Sequence, residues 1–485
     1  MIVISSLYLA AALLGQPVLA ADTAAAPPIT ADTPVTADAP VIIGPPPRVQ
    51  DPSIPPPVTT PPPDAVNADV AGAPLTADEA ARIALRLQPS LGDATGAAQS
   101  ARGRTQEAKS AQNPQVIAGA GFDTVSKISG DATGVLTAPT GATSAGVSPT
   151  YKYSTSIALR QLLYDFHQTR NLVRQNRSLT EAAEANVTRS QQDLVLTVKT
   201  NFYNYANAQR LSDVNAQNVA NRQRQLDLAS SRLRNGIGLP SDAVTAETSK
   251  SQAILALNVA RDNAEQARVT LLQSMGVDPL TPITPADTSE TAPASDDVKA
   301  LIQTGLRARP EVRAAERTLA ESRYGLGAAK ALNLPSLYAT VGAGAAGNDF
   351  PLKQNVSTIG VGVQFPLIDG GQRSGAVQAA NGQITTAQAD YDAAVLNVRT
   401  QVASAYLGLA SAEQRVSIVS AEVANAREGV RIAEGRYGAG LGLFQDITTA
   451  QGLLLTALTD QSTAQNALNL ARTNLRRAIG ETLSR

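Results

Sequence analysis

Few side chains in this sequence could carry covalent or metal chemistry. The 485 residues include no cysteine, no tryptophan and one histidine, His167. Without cysteine there is no thiol nucleophile, thiolate metal site or disulfide. His167 stands just past a strand, beside Asp165 and Phe166, and reads as a membrane-interface residue. Two glycine patterns resemble nucleotide loops. Gly342-Ala-Gly344-Ala-Ala-Gly347 fits a dinucleotide pattern, but Asn348-Asp349-Phe350-Pro351 follows it where a helix should begin, so it reads as a hairpin loop. Gly325-Leu-Gly327-Ala-Ala-Lys330 is not a phosphate loop either. With 40 basic and 41 acidic residues the net charge is −1, which suggests no nucleic-acid partner. The expectation is a protein that is no enzyme and uses no cofactor and no metal.

The chain's organisation points elsewhere. Residues 1–20 are apolar and end in Val18-Leu19-Ala20, an acceptable cleavage site for a secretory signal peptide, although the usual basic start is missing. A short buried or anchoring helix is the alternative. Residues 21–74, with 14 of the 29 prolines between Pro27 and Pro63, read as an extended, disordered segment, either a plain spacer or a tether to peptidoglycan or a partner. Beyond it the sequence repeats once. Gly236-Ile237-Gly238-Leu239 answers Gly440-Leu441-Gly442-Leu443, Asp242 answers Asp446, and Met275-Gly276 answers Ile479-Gly480, each at an offset of 204. Upstream, Gln88-Pro89 answers Arg309-Pro310 and Asn113-Pro114 answers Leu334-Pro335, at an offset of 221. The spacing predicts a first repeat over 75–276, a Pro-rich linker over 277–296 and a second repeat over 297–485.

Each copy predicts the same series of elements. A helix of moderate length comes first, over about 76–112 and 297–333, with Thr76 and Glu79 forming a capping box. Two strands follow. A long Ala/Gln/Asn-rich helix then runs over 167–234 in the first copy and stops at Asn235-Gly236. A last helix runs over 241–275, opening at Ser241 with Asp242 in its first turn. After residue 20 no stretch reaches the roughly 20 apolar residues of a spanning helix, so any membrane crossing must use strands. Tyr151, Tyr153, Ile157 and Leu159 alternate with Lys152, Ser154, Ser156 and Arg160. Ile359, Val361, Val363 and Phe365 alternate with Thr358, Gly360, Gly362 and Gln364. One face suits lipid and the other water; a half-buried soluble hairpin would show the same alternation. The 68-residue helix spans about 100 Å, and the two shorter helices stacked end to end match it. That suggests a tube wall of paired helices rather than a plain coiled coil. Four strands cannot close a barrel, so transmembrane strands would require an oligomer.

The residues resemble the outer membrane efflux protein family, the TolC-like channels, over about 75–485. The resemblance rests on Phe365-Pro366-Leu367-Ile368-Asp369-Gly370-Gly371, on Arg436-Tyr437-Gly438-Ala439-Gly440…Asp446, and on the paired ends Ser274-Met275-Gly276 and Ala478-Ile479-Gly480. No single motif is specific, but their duplicated order is. The resemblance implies a mixed α+β, mainly α fold and a homotrimer. Three chains would supply a 12-stranded outer-membrane β-barrel continuous with a long periplasmic α-helical barrel. It also implies a passive, gated export duct working with a periplasmic adaptor protein and an inner-membrane RND or ABC-type transporter, for drug or solute efflux or for type I protein secretion. It places Asp446 at the pore aperture, Tyr437 in a gating latch, and Gly236 and Gly440 at the periplasmic hairpin turns. Asp446 could equally be a first-turn helix acid, and Asp242 reads as a cap outside the constriction. The family's second acidic position is Thr449 here, and its basic latch residue falls at Gly442, so this latch looks weaker or differently built. The rival class is a structural coiled-coil protein of the envelope without a pore.

Overall fold

The computed structural model describes residues 74–127, 148–286, 289–291, 297–347, 352 and 354–481. The expected signal peptide over 1–20 lies outside them, as does the Pro-rich segment over 21–74 except for Pro74. The first copy runs β1 (Pro74–Leu75), α1 (Ala77–Leu87), α2 (Ser90–Ser110), β2 (Gln115–Lys127), β3 (Ser148–Tyr164), α3 (Gln168–Arg234) and α4 (Pro240–Met275). After β4 (Thr284–Pro285) the second copy runs α5 (Val298–Ala308), α6 (Pro310–Ala331), β5 (Ser336–Gly347), β6 (Gln354–Gln364), α7 (Gln372–Gly438) and α8 (Phe444–Ala478). The long helices α3 and α7 each have 67 residues.

The expected single helices over 76–112 and 297–333 are each two helices. Gln88 and Arg309, the residues before Pro89 and Pro310, are extended at ψ 115° and 125°. Proline's ring disfavours the helical region for its predecessor and its nitrogen has no proton to donate. Both breaks serve the same junction. Gly276, at φ 73°, ends α4 so close to α1 that a Cβ would meet the Leu87 carbonyl oxygen at 3.1 Å. Gly480, at φ 80°, meets Ala308 in the same way. The Gln88 amide donates to the Ser274 carbonyl at 3.2 Å, and the Arg309 guanidinium donates to the Ala478 carbonyl at 3.2 Å. The short helices therefore do abut end to end alongside the long ones, and each break caps the neighbouring helix.

The segment read as a linker over 277–296 is partly core. Val277 and Ile283 are buried, and β4 pairs in parallel with β1. Glu290, 3% exposed in its side chain, accepts from Lys199 Nζ at 3.0 Å and from the Tyr203 hydroxyl at 2.9 Å, and also from Arg476. Its backbone N–H donates to Asn469 at 3.3 Å. Burial, with Glu290's charge and hydrogen bond behind it, pushes the Tyr203 hydroxyl far above its ordinary pKa. Composition marked this stretch as a spacer, yet one carboxylate ties it to helices of both copies.

The capping box forms as expected: Thr76 Oγ1 accepts from the Glu79 N–H at 3.3 Å, and Glu79 accepts from the Thr76 N–H at 3.0 Å. Ser241 is not the N-cap of α4. Leu239 is, with Pro240 at the first helical position, where its missing N–H costs nothing.

The four long strands make one antiparallel sheet in the order β2-β3-β5-β6. Its register aligns Val116, Leu159, Val341 and Ile359 in one cross-strand row and Gln115, Arg160, Thr340 and Gly360 in the next. Because residues directly opposite share a face, the first row lies on an apolar face and the second on a polar one. Ile359 is 85% exposed on the apolar face. The outer edges of β2 and β6 have no partner strand among the described residues. The pattern Gly342–Gly347, expected as a hairpin loop, is strand. At Gly344 a Cβ would stand 2.7 Å from the Thr155 carbonyl oxygen, so glycine there permits close strand approach. Gly325 and Gly327 lie inside α6 and face Gln175 and Asn171 of α3, where a Cβ would come within 3.1 and 2.8 Å. They serve helix packing.

Helix packing is thin in large apolar groups and rich in polar pairs. Asn466 donates to Asn204 at 3.1 Å and Ser462 to Asn207 at 2.7 Å, joining α8 to α3. No helix among the described residues is long and apolar enough to cross a membrane.

Candidate functional site: the tip of the two helical hairpins

α3 and α7 end in the same turn. Gly236 and Gly440 take φ 74° and 77°, which glycine adopts without a Cβ clash. The Gly236 N–H donates to the Leu233 carbonyl and the Ile237 N–H to the Arg232 carbonyl, both at 3.0 Å. Gly440 and Leu441 repeat the pattern onto Tyr437 and Arg436 at 3.0 and 2.8 Å. The second glycine of each pair does different work. A Cβ on Gly238 would lie 2.7 Å from the Leu233 nitrogen, and one on Gly442 3.1 Å from the Arg436 Cβ. A side chain at Gly442 would thus press on the Arg436 side chain and the Tyr437 backbone.

Tyr437 sits at the centre of the tip, 4% exposed, among Ala229, Ala246, Ala433, Phe444 and Ile447. Its hydroxyl donates to the Asp242 carboxylate at 3.1 Å, which joins α7 of the second copy to α4 of the first. Asp242 was expected to be only a cap; it is Tyr437's acceptor. Burial raises the Tyr437 pKa, and the hydrogen bond and charge of Asp242 raise it further, so the phenol keeps its proton and remains a donor. Arg232 lies over the other side of the story: its guanidinium is 4.7 Å from the Tyr437 ring centroid and donates to the Tyr437 carbonyl at 2.9 Å and the Gly438 carbonyl at 3.3 Å. It caps the end of α7 from α3. Sequence reasoning missed Arg232. The available signal was its repeat partner Arg436, 204 residues on.

Asp446 is exposed in the first turn of α8, where its carboxylate accepts from the Leu443 N–H at 3.1 Å. Within the chain it caps its own helix. Thr449 is exposed one turn further on. The structure therefore brings Tyr437, Asp242 and Arg232 together between Gly236 and Gly440, and leaves Asp446 facing outward.

At the far ends of the long helices the strands hand over through paired acids. Asp165 accepts from the Thr169 N–H at 2.6 Å and Asp369 from the Arg373 N–H at 3.0 Å. The backbone before each helix is left-handed, at Phe166-His167 in one copy and Gly370-Gly371 in the other. His167 is exposed and packs edge-on to Tyr164 at 6.0 Å.

Long helical hairpins joined to a four-stranded sheet with one apolar face recur in known outer-membrane proteins. The chain belongs to the Outer membrane efflux protein family, which it matches over residues 80–277 and 301–481. That membership makes it a protein of the outer membrane that extends into the periplasm. It is 28% identical over 299 residues to the outer membrane efflux protein BepC of Brucella suis, covering 60% of this chain and 63% of BepC. It is 26% identical over 273 residues to protein CyaE of Bordetella pertussis, covering 55% of this chain and 57% of CyaE. The matched stretches thus span under two thirds of these relatives. The outer membrane protein VceC of Vibrio cholerae shares the fold, with a TM-score of 0.72 at 17% identity over 84% of this chain and 97% of VceC.

Proposed function

We propose that the chain is one third of a passive, gated export duct. The observation that carries this reading is the sheet: one apolar face and two unpaired edges. Open edges cannot remain in lipid, where each unpaired backbone group costs several kcal/mol. Joining β2 of one copy to β6 of the next closes the sheet, and three copies give 12 strands. The helices support the same closure. α7 exposes Leu396, Leu407 and Ile418, and α4 exposes Val244 and Leu255. Each set recurs every 11 residues, close to three helical turns, so each forms a nearly straight stripe for a neighbouring copy. A pore-less coiled coil has no use for the sheet.

In this reading the hairpin tip is the periplasmic gate. Tyr437, Asp242 and Arg232 hold it shut within each chain, and Asp446 from three chains rings the aperture as a cation-attracting entrance. The duct supplies no energy. A periplasmic adaptor and an inner-membrane RND or ABC-type transporter drive it, in solute efflux or in type I protein secretion. Purified protein in planar bilayers should conduct and should migrate on gels as a heat-modifiable trimer; no conductance and no trimer would refute the duct. Asp446→Ala should weaken block by divalent or trivalent cations added at the periplasmic side by about tenfold. Unchanged block would remove Asp446 from the aperture.

A further inference from the structure

The polar face of the sheet carries a charge that the gate does not use. The row Gln115, Arg160, Thr340 and Gly360 crosses all four strands. Arg160 is exposed, and its guanidinium carbon lies 4.1 Å from the centre of the Tyr338 ring on the neighbouring strand. This cation–π contact fixes the group against the sheet without neutralising it. Arg160 is the one charged residue of its cross-strand row, which otherwise holds Gln115, Thr340 and Gly360. Gly342, Gly344, Gly360 and Gly362 share the face, so few neighbouring side chains crowd or screen the charge. The opposite face, with Leu159, Val341 and Ile359, is the one suited to lipid.

We infer that Arg160 is a selectivity residue of the membrane end of the duct, a fixed cation facing the lumen that favours anionic solutes. The inference rests on the duct reading above, because three copies place three such cations around one lumen. It gives the two ends of the conduit opposite signs: carboxylates at the periplasmic entrance and guanidinium groups in the barrel. Fixed charge in a narrow aqueous pore raises the local concentration of counter-ions and shifts the permeability ratio toward them.

The test is the chloride-to-potassium permeability ratio of single channels, read from the reversal potential across a KCl gradient. Arg160→Gln should lower that ratio about twofold or more relative to wild type. The effect should be large near 0.1 M salt, where the screening length is about 10 Å, and fade near 1 M, where it is about 3 Å. Arg160→Lys keeps the charge and should keep the ratio. Thr340→Glu, in the same row, should lower it as Arg160→Gln does, and so provides a second variant should the first fail to assemble. A conducting trimer whose ratio is the same in Arg160→Gln, Thr340→Glu and wild type overturns this inference and leaves the duct standing. A wild-type protein that never conducts overturns both.

Discussion

The two copies share a backbone and divide the chemistry unequally. At the tip, Asp242 and Asp446 occupy equivalent places, but the tyrosine exists in one copy only: Tyr437 is answered by Leu233. Asp242 therefore accepts a hydrogen bond from the Tyr437 hydroxyl, whereas Asp446 is left exposed and caps its own helix. At the junctions the contrast runs the other way. The first is closed by the neutral Gln88, with Glu290 buried against Lys199 and Arg476. The second is built around a partly exposed carboxylate, Glu311, which accepts from Arg309 at 3.0 Å and Arg477 at 2.6 Å. Burial alone would raise the Glu311 pKa, but the two guanidinium groups hold it down to about 2. The two copies give equal frameworks, and single differences pair Asp242 with Tyr437 and leave Asp446 to cap its own helix.

The largest test of that contrast is at the junctions. Glu290→Ala should destabilise the folded protein by about 3–5 kcal/mol, because it removes the buried partner of Lys199, itself only 5% exposed, and leaves it the half-exposed Asp78. Glu311→Ala should cost less, about 1–2 kcal/mol, since Glu311 itself is 20% exposed and its partners Arg309 and Arg477 keep other acceptors in Gln401 and Asp193. Denaturant midpoints of the two variants would decide; equal losses would mean that Glu290 is no more a keystone than Glu311. At the tip, Tyr437→Phe removes the hydrogen bond to a charged acceptor and keeps the ring under Arg232. It should favour the open tip by about 1.5–3 kcal/mol, seen as a higher open probability in single-channel records. Because the folded tyrosine's pKa is raised, the latch is fully present below the unfolded value near 10 and is lost as pH rises through the higher folded value. Wild-type channels should show that alkaline opening and Tyr437→Phe should not. The smallest effect is at the strand–helix handover. His167 holds φ 69° where the second copy has glycine, so His167→Gly should stabilise by about 0.5–1 kcal/mol. A loss in thermal stability instead would show that packing on Tyr164 outweighs the strain.

Much of this was legible before any coordinates. Regular spacing is a one-dimensional property, so the repeat offsets located both long helices and both αL glycines, and alternation located β3 and β6, whereas the end of β5 at Gly342–Gly347 read as a hairpin loop. Local chemistry fixed the Thr76–Glu79 capping box and the turns at Gly236 and Gly440, because capping and left-handed backbone depend on neighbours in sequence. The breaks at Gln88 and Arg309 were visible as X-Pro pairs, but their purpose was not, since each caps a helix nearly 170 residues or more away.

What only the tertiary structure decided is which distant groups meet. Composition made 277–296 a spacer, and packing made Glu290 in it a buried anchor. Position made Asp242 a cap, and the approach of α7 made it the acceptor for Tyr437. The resemblance put the family's basic latch position at Gly442, where a Cβ would press on Arg436, and the fold brings Arg232 of the other copy against Tyr437. The sequence by itself determined the framework, because backbone conformation follows local residue type and periodicity. The latch, the keystone and the placement of Arg160 over Tyr338 depend on side chains brought together across the fold, and no local pattern encodes that.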